Sequence, residues 1–168
     1  MYQAKTLLQN LNEEATITRK FLELVPVDKF DWKPHPKSMS LKHLATHVAE
    51  IPGWTHMAIT TTELDLQSVA GSEYAYPPIE SREDILAFFE KSLKKSQEVM
   101  ETATDEDLKP MWTLRNGDQV WVNSPKGEMI RGSLNQSIHH RAQLGVYLRL
   151  LDIPIPGSYG PSADELGL

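Results

Sequence analysis

With 168 residues, 40% of them apolar and 24% charged, the chain can bury a sizeable core, roughly 70% of the surface its unfolded form exposes. A net charge of −6, with the densest basic run only Lys91, Lys94 and Lys95 behind Glu90, argues against nucleic acid as a partner. The absence of cysteine excludes disulfides, thiolate metal sites and a cysteine nucleophile. No run approaches the ~20 apolar residues of a membrane span, so a cytoplasmic protein is expected.

Taken in chain order, Leu7, Leu8, Leu11, Ala15, Thr18, Phe21, Leu22 and Val25 step by three and four. That period predicts a first helix over about 4–25, closed by Pro26. The Pro-rich stretch 27–38 has no helical period, and its Phe30 and Trp32 are expected to fold back onto the helices. Ser38 or Ser40 offers an N-cap for a second helix over about 40–62, through Leu41, Leu44, Val48 and Ile51. Pro52-Gly53 should kink or break it before Trp54, Met57 and Ala58. A polar connection over 63–80 carries Tyr74, Tyr76 and Pro77-Pro78.

Ser81 to Asp84 has the spacing of a capping box, and Ile85, Phe88, Phe89, Leu93 and Met100 predict a third helix over about 82–103. Alternation on either side of the turn pair Asn116-Gly117, in Trp112-Thr113-Leu114 and Val120-Trp121-Val122, predicts a small β-ribbon. A fourth helix is expected over about 129–151. Ile130, Leu134, Ser137, Arg141, Leu144, Leu148 and Leu151 form one line, and Ser133, Gln136, His140, Gln143 and Tyr147 the line beside it. Pro154 and Pro156 lead into an extended tail over 152–168. The sum is an all-α four-helix bundle, one domain over 1–168, with Leu44, Phe88, Leu134 and Leu144 at its centre.

Without cysteine, histidine is the strong neutral nitrogen donor. His47, three residues after Leu44 and four before Ile51, shares their inward face, and His140 lies at the edge of the fourth helix's apolar stripe. Two imidazoles pointing into one bundle from two helices could share a metal; each could equally be a core-edge histidine bonded to a neighbouring helix. His43 has i, i+4 spacing to His47 but falls toward the flank. His139 points about 100° from His140. His35 and His56 read as loop and boundary residues. Glu50, three after His47, is close enough to join its face. Trp54 and Tyr147 are candidate pocket walls.

The run Leu44 to Glu50 around His47, followed by Trp54 after the Pro-Gly break, resembles the second helix of the DinB (damage-inducible) family. Ile138-His139-His140-Arg141-Ala142-Gln143-Leu144 with Tyr147-Leu148-Arg149 is similar to that family's fourth helix. Pro154-Ile155-Pro156 and the stretch Tyr159 to Glu165 resemble its ending. The resemblance covers essentially the whole chain. It implies a four-helix bundle, a homodimer in many members, and a divalent metal such as zinc or nickel held by three histidines.

One of those histidines maps to His47 and another to His140; the third should lie four residues before His140, where this chain has Gln136. A glutamine amide is a weaker ligand than imidazole, so the resemblance implies a weakened site or none. The wider superfamily implies either transfer of a low-molecular-weight thiol to a small electrophile or metal-dependent hydrolysis of a small molecule. A metal-free small-molecule-binding or dimeric interaction bundle is the alternative that Gln136 leaves open.

Overall fold

The computed structural model describes residues 2–68 and 76–168. The middle of the 63–80 connection, with Tyr74, lies outside the described residues. Five helices and a three-stranded sheet are described: α1 Ala4–Leu22, α2 Leu41–Glu50, α3 Gly53–Thr60, β1 Glu63–Asp65, α4 Arg82–Thr102, β2 Met111–Asn116, β3 Gln119–Pro125 and α5 Lys126–Leu150. α1 packs on α4 and α5, and α2 and α3 each pack on the same two helices. The bundle is therefore four-membered, its second member being α2 and α3 in succession.

Each helix forms where its apolar period and its cap agree. Ala4, Leu7, Leu11, Ala15, Thr18, Phe21 and Leu22 are buried along α1. Its last turn tightens, with Leu24 and Val25 N–H groups donating to the carbonyls of Phe21 and Leu22. α1 thus ends three residues before the expected limit, although Val25 is still fully buried. Ser40 rather than Ser38 caps α2, its hydroxyl accepting from the His43 N–H at 3.2 Å. Ser81 accepts from the Asp84 N–H at 3.1 Å, and the Asp84 carboxylate accepts from the Ser81 N–H at 2.8 Å, closing the capping box of α4.

The break at Pro52 is held by a side chain from another helix. Ser96 of α4, fully buried, donates through Oγ to the Pro52 carbonyl at 2.6 Å and accepts from the His56 N–H at 2.9 Å. Its hydroxyl stands between a donor and an acceptor that a regular turn would pair directly, an insertion that bends a helix without leaving a buried polar group unpaired. The break fixes the angle between α2, which carries His47, and α3, which carries Trp54.

The predicted ribbon is present but has a third strand. β2 and β3 pair antiparallel, Asn116 opposite Gln119, so the turn residues are Gly117 and Asp118, one step beyond the expected pair. Gly117 has φ +59°, the positive value the first turn residue of a type II′ hairpin requires. β1 adds in parallel on the other edge of β2, Leu64 opposite Leu114. Fully buried Trp112 donates from Nε1 to Thr61 Oγ1 at 2.9 Å, tying the ribbon to the end of α3. α5 begins at Lys126, three residues before the expected 129, because the ribbon runs straight into it.

Leu44, Leu134 and Leu144 lie in the core as their spacing predicts. Phe88 does not. Its neighbour Phe89 is fully buried, whereas Phe88 is only partly so and faces the ring of Tyr76 at 6.4 Å. Adjacent aromatics lie about 100° apart on a helix, and the packing of α4 on α1 selects the second. Lys91, Lys94 and Lys95 form a solvated face of α4.

Candidate metal centre

The structure brings two of the expected site residues together. His47 of α2 and His140 of α5 stand with ring centres 4.6 Å apart and planes at 79°. Two imidazoles on one ion, each at about 2.1 Å, have ring centres roughly 5 Å apart, so the spacing suits a shared electron-pair acceptor.

Both rings have Nδ1 committed to an oxygen three residues further along the same helix. His47 Nδ1 lies 3.2 Å from Glu50 Oε2, and His140 Nδ1 lies 2.9 Å from Gln143 Oε1. Where those oxygens accept, Nδ1 carries a proton, and in the neutral ring Nε2 then keeps its lone pair. Among the described residues neither Nε2 has a hydrogen-bond partner. Burial, followed by the neighbouring His47 and His139, holds the His140 imidazole below its ordinary pKa against the opposing bond to Gln143. It is the neutral ring that can donate a lone pair.

A second layer surrounds His47. Tyr76 donates through its hydroxyl to Glu50 Oε2 at 3.0 Å and lies 3.3 Å from His47 Nδ1. Burial, with the Glu50 charge behind it, raises the Tyr76 pKa above its ordinary value, which keeps the hydroxyl a donor. Trp54, the first full side chain after the break, sets its ring edge-on to His47 at 5.6 Å. His43 is exposed and meets only the rim of this group, its ring 6.1 Å from that of Tyr76.

Other expected residues stand apart. Gln136 is exposed, and among the described residues its amide has no hydrogen-bond partner. Among the described residues, too, no three His, Cys, Asp or Glu side chains gather closely enough to hold an ion. Tyr147, two turns beyond His140, packs edge-on to Trp32 at 5.5 Å and donates to the Met39 carbonyl at 3.3 Å, so it anchors the 27–40 loop. His139 is exposed with its ring 4.8 Å from that of His140. Grooves of about 560 and 430 Å³ open beside α5, one against α1 and one beneath the tail, and neither is lined by a histidine.

Sequence reasoning placed Gln143 on the line of His140 without pairing the two, and Tyr76 only within the 63–80 connection. The matched i, i+3 spacing of His47–Glu50 and His140–Gln143 was a usable signal for the first; Tyr76, 29 residues from His47, carried none.

A broken-helix bundle holding two facing imidazoles defines a class of helical-bundle protein, and comparison supplies the family. The DinB family model matches residues 1–166, and the chain belongs to that family. It is 25% identical over 159 residues to YrdA of Bacillus subtilis (strain 168), an uncharacterized protein, covering 94% of this chain and 89% of YrdA. A DinB-like protein from Bacillus cereus ATCC 10987 superposes with a TM-score of 0.72 at 20% identity, covering 95% of this chain and 100% of that one. YfiT from Bacillus subtilis superposes with a TM-score of 0.65 at 14% identity, covering 90% and 89%. YfiT is described as a probable metal-dependent hydrolase with an unusual four-helix bundle topology. These likenesses fix the fold. No described helix is long and apolar enough to cross a membrane.

Proposed function

We propose that this chain is a metal-dependent enzyme acting on a small molecule, with zinc or nickel held by His47 and His140 and, more weakly, by Gln136. The observation that carries the reading is the imidazole pair itself, 4.6 Å apart with both Nδ1 atoms occupied. The donor set fits a weakly held ion, two imidazole nitrogens of the right spacing and an amide one turn away on α5. Such an ion supplies Lewis acidity, polarising a substrate carbonyl or acidifying a water or a thiol.

The chain's own groups do the rest. Glu50 and Gln143 keep the two rings turned, each accepting from Nδ1, and Trp54 walls one side of His47. The description of YfiT supports hydrolysis. Transfer of a low-molecular-weight thiol suits the chain's lack of cysteine, since the sulfur would arrive with a cosubstrate.

Elemental analysis after dialysis against zinc or nickel tests the site. The parent should retain about one ion per chain, and His47→Ala and His140→Ala none. The loaded protein is then offered an activated ester alone, or an electrophile with a small thiol, which separates the two chemistries. Retention no better than in the histidine variants overturns the proposal. It would favour instead a metal-free binding or interaction bundle, which the missing third ligand among the described residues supports. Exposed Val120, Trp121, Val146 and Leu150 support a homodimer, for which sedimentation should give about twice 19.0 kDa and a clean monomer would count against it.

A further inference from the structure

We infer that Glu50 and Tyr76 are positioning residues that lock His47 in a single tautomer, with the proton on Nδ1 and the lone pair on Nε2. The inference rests on the reading of the imidazole pair as the functional centre. An ionised carboxylate can only accept, and here one oxygen, Glu50 Oε2, receives two donors, His47 Nδ1–H at 3.2 Å and Tyr76 O–H at 3.0 Å. With His47 Nδ1 only 3.3 Å from the Tyr76 oxygen, the three groups close a triangle.

Each member constrains the others. The hydroxyl fixes the Glu50 rotamer, the carboxylate fixes the ring, and the proton cannot leave Nδ1 for Nε2 without leaving a carboxylate facing a lone pair. Glu50 is only about a quarter exposed and the His47 side chain less, so their own bond is partly shielded from water, while Tyr76 closes the triangle from the exposed side. His140 has a lesser version of the device, a neutral amide oxygen in place of the carboxylate, and no hydroxyl behind it. Tyr76 itself is seated between the rings of His43 at 6.1 Å and Phe88 at 6.4 Å, which places the end of the 63–80 connection against α2. A mere surface ion pair at i, i+3 would need neither the tyrosine nor a shared oxygen. Outer partners of this kind orient ligands and raise their basicity.

The test reads the tautomer directly, by long-range proton–nitrogen correlation on metal-free, 15N-histidine-labelled protein well above the ordinary imidazole pKa of about 6.5. Comparison with His47→Ala assigns the signals. The parent should show His47 protonated at Nδ1 alone. Glu50→Ala removes the acceptor and leaves the Tyr76 hydroxyl to donate to Nδ1, which should move the proton to Nε2, while Tyr76→Phe should give a mixture of tautomers. A parent already mixed or protonated at Nε2 overturns the inference, as does a tautomer unchanged in both variants.

Zinc titration of the same proteins separates this from the proposed function. Glu50→Ala should weaken binding about 10–100-fold. A parent that shows the locked tautomer but takes up no zinc overturns the metal reading alone. A parent that binds zinc no better than Glu50→Ala overturns the positioning role alone.

Discussion

His140 and Arg141 are adjacent on α5 and point about 100° apart, and they have opposite fates. Arg141 is almost wholly buried, and both terminal nitrogens of its guanidinium are engaged. Nη1 donates to the Glu14 carboxylate at 2.6 Å, to the Glu14 carbonyl at 3.2 Å and to Thr18 Oγ1 at 3.2 Å, and Nη2 donates to the Tyr159 hydroxyl at 2.9 Å. That hydroxyl in turn donates to Glu14 at 2.8 Å. The cluster ties the C-terminal tail to α1 and α5. His140 is partly exposed, with one ring nitrogen paired and the other, among the described residues, without a partner. A buried polar group tied to several elements holds a fold together; one left half-made beside a second of its kind is equipped to take a ligand.

That contrast can be broken by mutation. Arg141→Ala leaves the Glu14 carboxylate facing a cavity and should cost about 3–5 kcal/mol, with release of the tail. Chemical denaturation checks the first and limited proteolysis the second; a cost near zero would mean the cluster is solvated. Leu134→Ala, which removes apolar packing one turn below Ser137 without touching a polar group, should cost roughly 2–5 kcal/mol. Tyr159→Phe removes only the hydroxyl of the cluster, and urea denaturation should register about 1 kcal/mol.

His140→Ala should change stability by less than about 1 kcal/mol, as for an ordinary partly exposed site. A loss as large as that of Arg141→Ala would erase the distinction between the neighbours.

The smallest effect concerns the tail's second tether. The bond from Arg149, and after it the Ile155 N–H, lowers the Asp164 pKa to about 2. Because the folded value lies below the unfolded one, the tether contributes above the ordinary carboxylate range, about 3.9, and fades as the pH falls through about 2. Proteolysis of the tail with an acid-active protease should therefore quicken below that range in the parent. In Asp164→Asn it should be equally quick at every pH.

Much of this was legible in the sequence because it is local. The two lines of α5 follow from a 3.6-residue period, the break from Pro52, the ribbon from Asn116-Gly117, and the inward direction of His47 and His140 from their spacing to Leu44 and Leu144. What escaped depends on distant partners. β1 is a three-residue strand in a polar run, and only its pairing with β2, some 50 residues on, makes it one. The rotation of α4 that buries Phe89 in place of Phe88 is set by what packs against it. Arg141 was read as inward, but its partners Glu14 and Tyr159 lie 127 and 18 residues away. Tyr147 shares the line of His140 and yet serves Trp32, because two turns of helix carry it about 10 Å along the bundle.

The central claim is that His47 and His140 converge on one ion and that Gln136 is what makes the site weak. Titration calorimetry of zinc or nickel into the parent, Gln136→His, and Gln136→His combined with His47→Ala tests it most directly. The substitution puts an imidazole one turn before His140, an i, i+4 pair on α5 that His47 would complete if the three converge. The account predicts markedly tighter binding in Gln136→His and loss of that gain when His47 is removed. Affinity no higher than the parent's, or a gain that survives without His47, would contradict it.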